Sequence, residues 1–494
     1  MCSPRANSQP MHREIERLNQ VLTVAQMRDA EHALIDAGTS VDALMQSAGR
    51  GAGEWVRRVA AGRTVTVLCG PGNNGGDGYV IAQALLEHGN PVQVVTAREP
   101  ATDAARNARA LYRGPVLAGD ARPHGEVLVD CLFGSGLTRA LPEDLAAQLG
   151  ALAASHNHRI AIDVPSGTES DSGAALNTGL PMWDLTIALG AWKFAHWAIS
   201  APAGMGATMG MLKLVDIGVA DVPGAARVLA RPAIEVPPVD AHKYTRGLAV
   251  VVGGAMPGAP LLAADAAMHA GAGYVKLLAP QRPEGMPHDL VFAVAGDAAS
   301  MMRELSDRRT GAVLIGPGLG RDERARTRLS ALLASRLLAV IDADALMLLS
   351  PGLLPRRAGE LLLTPHEGEM AALENRFGLP SNAPRPVRAL ALARLARAVV
   401  LFKGPDSVIA TPDGTLILSP RAPSWLSVAG SGDVLAGIAL GRLAVTRDPL
   451  RAAQEALWLH GEAARIAGPA FTASQLAGTV QAAIGQATIA RGLA

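Results

Sequence analysis

Three short stretches in the first half of the chain carry side chains that could do chemistry. Between 70 and 78 the run GPGNNGGDG sets two amides, Asn73 and Asn74, and a carboxylate, Asp77, among the glycines Gly70, Gly72, Gly75, Gly76 and Gly78. Glycine admits positive φ and lets a ligand approach the backbone, and a following helix YVIAQALLEHG aims free N–H groups at that ligand, so the loop suits a phosphate. A plain dinucleotide fingerprint, G-x-G-x-x-G, needs neither amides nor carboxylate. A tight turn with capping Asx side chains is the other reading of the same residues. Asp130 in VDCLFGSGLTRAL (129–141) and Ser166 in IDVPSG (162–167) offer hard oxygens. With Asn74 and backbone carbonyls they could hold a monovalent or hard divalent cation. Asp163, just before the Pro-Ser-Gly turn, could move protons in a crevice or merely cap a helix.

In the second half, AGSGDVLAG (429–437) reads as a small-residue turn running into a helix with Asp433 at its start. The N–H groups of Gly430 to Asp433 would form an anion hole over a transferring phosphoryl group, and Asp433 could accept a hydroxyl proton. Capping alone would also put an Asp there. Its company argues for chemistry: VVVGGA with PGAP (250–260), IGPGLG (315–320), DADAL (342–346), LTPHEGE (363–369) and LFKGPDSVI (401–409) all place small or polar residues at strand ends. His366 by itself reads as a structural histidine.

Such loops need a scaffold that gathers them, and the chain supplies two. The apolar runs TVTVLC, PVQVVTA, EVLVDCLF, RIAIDVP, LTIALG and GMLKLVDIG alternate with helix-like segments from residue 64 onward. That is the β-α-β signature of a parallel sheet, whose ligands bind outside the carboxyl ends of its strands. Helices with apolar spacing, VAQMRDAEHALIDAG and VDALMQSAGRGAGEWVRRV, precede it as a cap, and residues 1–20 are polar and expected to fray. Near residue 220 the pattern lapses into a stretch with four prolines, the expected linker, and a second α/β pattern begins at LAVVVGGA. The expected domains are 1–225 and 235–494, and 494 residues are too many for one core. A net charge of +1 provides no global field for nucleic acid or an anionic membrane. No run of about 18 apolar residues suggests a membrane span. Cys2, Cys69 and Cys131 are too few for a disulfide framework, which fits a reducing cytoplasm, and Cys69 and Cys131 at strand ends should be core.

GNNGGDGYV, VDCLFGSGL and DVPSG together resemble the NAD(P)H-hydrate epimerase family over about residues 20–220. The resemblance implies a Rossmann-like, doubly wound fold, hydrated NADH or NADPH as substrate, and a potassium ion beside it. It puts Asn73, Asn74, Gly75, Gly76 and Asp77, with Gly134, Ser135, Gly136, Leu137, Thr138, Arg139 and Ala140, around the phosphate-bearing part of the substrate. Asp163 would stand at the reacting end, and Asn74, Asp130 and Ser166 would ligate potassium. LGAWKFAHW (189–197) departs from the family's Lys-Pro-Gly turn, which puts that wall of the site in question. Arg98 could accept a 2′-phosphate, while Glu99 beside it could bind a ribose hydroxyl.

The second-half motifs resemble the ADP-dependent NAD(P)H-hydrate dehydratases, of ribokinase-like α/β fold, over about residues 235–490. The resemblance implies that Lys403, Gly404, Pro405, Asp406, Ser407 and Gly432 contact ADP, bound with magnesium, that Ala259, Gly320, His366 and Asp433 contact the hydrate, and that Asp433 is the base. HKYTRG (242–247) and PSWLSVAGSGD depart from the family pattern, with an expected effect on substrate affinity. The fused chain is thus expected to epimerise the hydrates and dehydrate the S form at the expense of ADP, in the cytoplasm, as a homo-oligomer. The alternative is a small-molecule kinase of the ribokinase superfamily with a nucleotide-binding or scaffold domain in front.

Overall fold

A computed structural model describes residues 18–199, 205–354 and 360–489; Cys2 and most of the polar start lie outside them. The chain divides into two compact α/β units, the first ending at Arg227 and the second beginning at Val228.

The first unit is built on a seven-stranded sheet in the order Val116–Leu117, Val92–Thr96, Val65–Cys69, Gly125–Cys131, His156–Ile162, Leu185–Leu189, Met211–Val215, parallel throughout. Alternation along the strands sends side chains to two cores. Val65, Val67 and Cys69 share one with helices Val41–Ala60 and Asn73–Glu87, while Leu68 shares the other with helix Glu143–Ala154. Helices therefore cover both faces, as expected of a doubly wound unit. Cys69 and Cys131 are free and buried. Gln20, expected to fray, already begins a short buried strand, Gln20–Leu22, which runs parallel to Trp192–Lys193.

The glycine loop corrects its sequence reading. The helix begins at Asn73, not at Tyr79, with Gly72 as its N-cap at φ −92°. None of Gly70, Gly72, Gly75, Gly76 or Gly78 is at positive φ. What these positions require is close packing: a Cβ on Gly75 would lie 1.9 Å from the Gly70 carbonyl oxygen, one on Gly76 2.6 Å from the Met45 side chain, and one on Gly78 2.7 Å from Cys69 Sγ. Small residues let the helix start flush against the strand ends.

In the second unit the strands Val291–Val294, Tyr274–Ala279, Leu248–Val252, Thr310–Ile315, Ala339–Ile341, Leu361–Leu363 and Val399–Phe402 lie side by side in parallel, followed by antiparallel Val408–Ala410 and Leu416–Leu418. Helices Gly258–His269 and Ser431–Thr446 meet backbone to backbone, since a Cβ on Gly437 would be 2.1 Å from the Ala263 carbonyl oxygen. The Ala and Gly content of the sequence serves that contact. The proline-rich stretch expected as a linker contains strand Ile234–Glu235, which pairs in parallel with Thr488–Ile489 and is too short to show periodicity. No helix among the described residues is long and apolar enough to cross a membrane.

Candidate active sites

At the carboxyl ends of the first sheet lies a cavity of about 420 Å³. Its lining includes Asn73, Asn74, Asp77, Gly134, Ser135, Gly136, Leu137 and Asp163, so the three loops singled out in the sequence do converge. Thr138, Arg139 and Ala140 follow as exposed residues beyond the lining, and Gly75 and Gly76 are buried behind it. Arg98 is outside it too and is paired with Asp144.

Asp163 is the most constrained residue of this pocket. It sits at φ +65°, a left-handed conformation that a non-glycine residue keeps only when its surroundings hold it there. Lys193 Nζ donates to Asp163 Oδ1 at 2.5 Å and to the Leu189 carbonyl at 2.6 Å, and the Ser135 amide donates to Oδ2 at 2.9 Å. Burial opposes ionisation, but the Lys193 ammonium and these hydrogen bonds outweigh it and hold the carboxyl below its ordinary range. His196 completes the clamp. Burial and the Lys193 charge push it down to about 4, so the neutral ring donates from Nε2 to the Asp163 carbonyl at 2.8 Å and accepts the Lys193 amide at Nδ1, 2.9 Å away. The WKFAH segment therefore closes the wall that its departure from Lys-Pro-Gly put in question. Lys193 and His196 were not singled out in the sequence; their partner is 30 residues away, and no local spacing marks the contact.

Asp77 faces the same cavity without a cation. Burial, followed by the charges of Asp163 and Glu31, drives its carboxyl well above the usual range, against the smaller opposing pull of Lys193. One wall of the pocket comes from helix Val24–Asp36 through Val24, Met27, Arg28 and Glu31, a segment read from sequence only as a cap.

The oxygen set proposed for a cation lies around the Phe133–Gly134 backbone. Asp130 accepts from the Ser166 hydroxyl (2.8 Å), the Ser166 amide (3.0 Å) and the Leu132 amide (3.0 Å), and the Ser166 hydroxyl accepts the Phe133 amide at 2.9 Å. Burial raises Asp130 to about 6, against the hydrogen bonds from Leu132 and Ser166 that lower it. Both polar atoms of the Asn74 amide are buried without a hydrogen-bond partner. The unpartnered oxygen of the Asn74 amide, with the Asp130 and Ser166 oxygens, is a donor set of the kind a hard cation takes.

In the second unit the centre is Lys403. Its Nζ donates to Asp342 Oδ1 at 2.7 Å, where the Thr364 hydroxyl also donates at 2.7 Å, and Glu369 Oε2 is 3.9 Å away. A Cβ on Gly432 would be 3.8 Å from the same Nζ, which sets the ammonium beside the first turn of helix Ser431–Thr446 and near Asp433. Burial and the Asp342 charge raise Asp433 to about 6, partly offset by Lys403. The anion hole is narrower than the sequence suggested: the Ser431 amide donates to the Val428 carbonyl, which leaves the amides of Gly430, Gly432 and Asp433. Behind this turn His460, lowered to about 4 by burial, donates from Nε2 to the Ser431 carbonyl at 3.0 Å; it too was not foreseen.

The remaining residues fall into place unevenly. Gly404 and Pro405 are exposed, whereas Asp406 turns inward to Arg385 at 3.1 Å and the Ser407 hydroxyl closes the turn onto the Gly404 carbonyl at 2.8 Å. His366 caps helix Glu367–Phe377, its Nδ1 accepting from Gly368 at 3.0 Å and Glu369 at 3.3 Å, with most of its ring exposed. The Gly320 amide donates to Asp344 at 3.0 Å, and Ala259 is in the first turn of helix Gly258–His269. HKYTRG corrects an expectation: it leads into the amino end of strand Leu248–Val252, whereas Gly320, Asp342 and Lys403 follow carboxyl ends of parallel strands, so it stands on the opposite edge of the sheet and cannot set affinity by contact at this site.

Two α/β units, each with a lysine and a carboxylate at the carboxyl edge of its sheet, define a two-site enzyme. Residues 249–484 match the family model of NAD(P)H-hydrate dehydratase, and residues 41–195 match that of the YjeF-related protein N-terminus. The bifunctional NAD(P)H-hydrate repair enzyme Nnr of Salinibacter ruber is 33% identical over 511 residues, covering 90% of this chain and 91% of its own. That of Gloeobacter violaceus is 34% identical over 481 residues, covering 89% and 92%. The crystal structure of an ADP/ATP-dependent NAD(P)H-hydrate dehydratase from Bacillus subtilis, co-crystallized with ATP and magnesium, is 28% identical and superposes with a TM-score of 0.46, covering 52% of this chain and 95% of its own. The chain belongs to the bifunctional NAD(P)H-hydrate repair enzymes.

Proposed function

We infer that the chain repairs hydrated NADH and NADPH: the first unit interconverts the R and S hydrates, and the second dehydrates the S form at the expense of ADP, releasing NAD(P)H, AMP and phosphate. The observation that carries this reading is the opposite state of the two carboxylates within one family member. Asp163 is clamped as an anion by Lys193, while Asp433 is raised to about 6 beside free helix amides.

In the first pocket the ionised Asp163 serves as base at the reacting ring and neutral Asp77 as hydrogen-bond donor opposite it, two acids driven apart by their surroundings. A neutral Asp77 also removes the repulsion that a carboxylate would bring to a phosphate loop. Asn74, Asp130 and Ser166 would hold potassium, which would supply positive charge beside the substrate.

In the second unit Asp433 takes the proton of the hydrate's hydroxyl as that oxygen attacks the β-phosphorus of ADP and AMP departs. Loss of the resulting phosphate ester together with a ring proton restores the double bond. Lys403 and the amides of Gly432 and Asp433 stand where the transferring phosphoryl group gains charge. Among the described residues no three His, Cys, Asp or Glu side chains group as metal ligands, so magnesium would be carried on the nucleotide phosphates. The decisive experiment incubates mixed hydrate epimers with ADP, magnesium and potassium and follows the near-ultraviolet absorbance of reduced nicotinamide. Full recovery supports the reading; a stable phosphorylated product with no recovered absorbance would make the second unit a kinase.

A further inference from the structure

The pocket of the first unit carries a cation that none of the roles assigned so far uses. Glu31, Asp77, Asp163, Arg28 and Lys193 are the titratable side chains on its lining, and Lys193 is already bound to Asp163. A hydrated dinucleotide brings a diphosphate into this pocket. Arg28 is the one remaining cation on the lining, and among the described residues no carboxylate forms an ion pair with it.

Arg28 is held in place rather than drifting on a surface helix. Leu22 pairs in register with Lys193, so the strand that leads into helix Val24–Asp36 is fixed to the segment carrying the Asp163 clamp. Thr23 and Gln26 cap the helix reciprocally, and the Val24 amide donates to Asp171 at 2.9 Å. Met27 is buried against Gly190, where a Cβ would come within 2.5 Å of Met27 Cε. Arg28, next in sequence, is exposed at the rim with Nη2 4.0 Å from where a Cβ on Gly136 would be. Gly136 belongs to the lining loop Gly134–Leu137, and the start of helix Asn73–Glu87 lines the same cavity, so a positive side chain, a loop and the free amides of a helix start converge on it. Glu31, one turn further along the same helix face, also lines the cavity and lies within electrostatic reach of Lys193, Asp163 and Arg28 without forming an ion pair with Arg28.

We propose that helix Val24–Asp36, which lies outside the 41–195 family match, is a substrate-reading wall, and that Arg28 binds the diphosphate of the hydrated dinucleotide. This rests on the epimerase reading of the first unit. The test is steady-state epimerisation by full-length Arg28→Ala and Arg28→Lys with the hydrates of NADH and of NADPH at constant potassium. Loss of a charge-assisted hydrogen bond should raise KM about tenfold for both hydrates in Arg28→Ala, with kcat within about twofold of wild type. Arg28→Lys should recover part of the loss, and added sodium chloride should narrow the gap between variant and wild type. Dehydration of pure S hydrate and the denaturant unfolding of the first unit should both be unchanged, which shows that the chain is folded. An unaltered KM, or a fall in kcat alone, overturns the proposal. A KM change confined to the NADPH hydrate also overturns it, because Arg28 would then read the 2′-phosphate. If wild type does not interconvert the epimers at all, the epimerase reading fails and this inference with it; wild-type interconversion with an indifferent Arg28→Ala defeats this inference alone.

Discussion

Each unit sets a lysine among carboxylates, buried in the first and partly buried in the second, and the two lysines hold different partners. In the first unit Lys193 grips Asp163, the carboxylate assigned to the chemistry, while Asp77 on the same lining is raised well above its ordinary range. In the second unit Lys403 grips Asp342, a neighbour, and the carboxylate assigned to the chemistry is left to rise to about 6. The same two residue types thus produce a permanent anion in one site and a group poised near neutrality in the other. The difference suits the reactions. A pocket that exchanges water across a ring needs an acid and a base present together, whereas a phosphoryl acceptor needs one base that gains a proton and gives it up again.

The largest expected effect separates the two sites outright. Asp433→Asn should lower ADP-dependent recovery of reduced cofactor by about a thousandfold while epimer interconversion continues. Asp163→Asn should do the reverse: the S form is consumed at once and the rest only as fast as it epimerises spontaneously. Activity within about tenfold of wild type in either variant removes that residue from its role, and loss of both activities in one variant would mean that the sites are not independent.

Next in size is Lys193→Met. It leaves Asp163 at a left-handed φ in a buried position without its counter-ion, and breaking one partner of a buried pair costs about 3 kcal/mol or more. Denaturant unfolding of the first unit should shift accordingly, and epimerase activity should vanish with dehydration of pure S hydrate intact. Lys403→Met should be milder for stability, because Asp342 keeps the Thr364 hydroxyl. Equal destabilisation by the two variants would contradict the contrast drawn between the lysines.

These contrasts were only partly legible in the sequence. The strands, the doubly wound plan and the convergence of three loops followed from apolar periodicity and from polar residues at strand ends. The glycines of 70–78 were visible, but their reason was not: packing of a helix start against a strand end is a tertiary fact, and permissive φ was the local guess. Lys193 and His460 escaped because each acts on a residue about 30 positions away in the chain through contacts that only the sheet order creates. HKYTRG was misjudged for a related reason, since a motif beside a strand does not reveal which end of the sheet it occupies until the direction of the strand relative to the site is known.

A moderate effect is expected on the pH profile of dehydration. Asp433 must be ionised to accept a proton, and its carboxyl stands at about 6, so kcat/KM should be full above that pH and fall as pH drops through it. Lys403 lowers that value through its charge. In Lys403→Met the acid limb should therefore move to higher pH, in addition to any loss of rate. Epimerisation should show no such limb near 6 from Asp163, which the Lys193 pair holds ionised to lower pH. An acid limb at the same pH in both reactions would argue that one shared group, not two differently held carboxylates, controls them.

The smallest expected effect concerns the cation and tests whether the first site is complete without one. The Asn74 amide has two buried polar atoms with no partner, and Asp130 is a buried carboxylate held by hydrogen bonds from Leu132 and Ser166. Both costs fall if a potassium ion is bound, so the ion binds the folded state in preference to the unfolded chain. At a concentration several times its dissociation constant it should stabilise the first unit by about 1 kcal/mol, visible as a rise in the melting temperature when potassium replaces a large organic cation. Asn74→Leu removes the orphaned amide and with it one ligand, so the potassium response should disappear even if the variant is no less stable than wild type in the absence of the ion. The second unit, whose charged centre already contains Lys403, should not respond. A potassium-dependent shift that survives in Asn74→Leu would place the ion elsewhere, and the oxygen set around Phe133 and Gly134 would then have to be explained by hydrogen bonding alone.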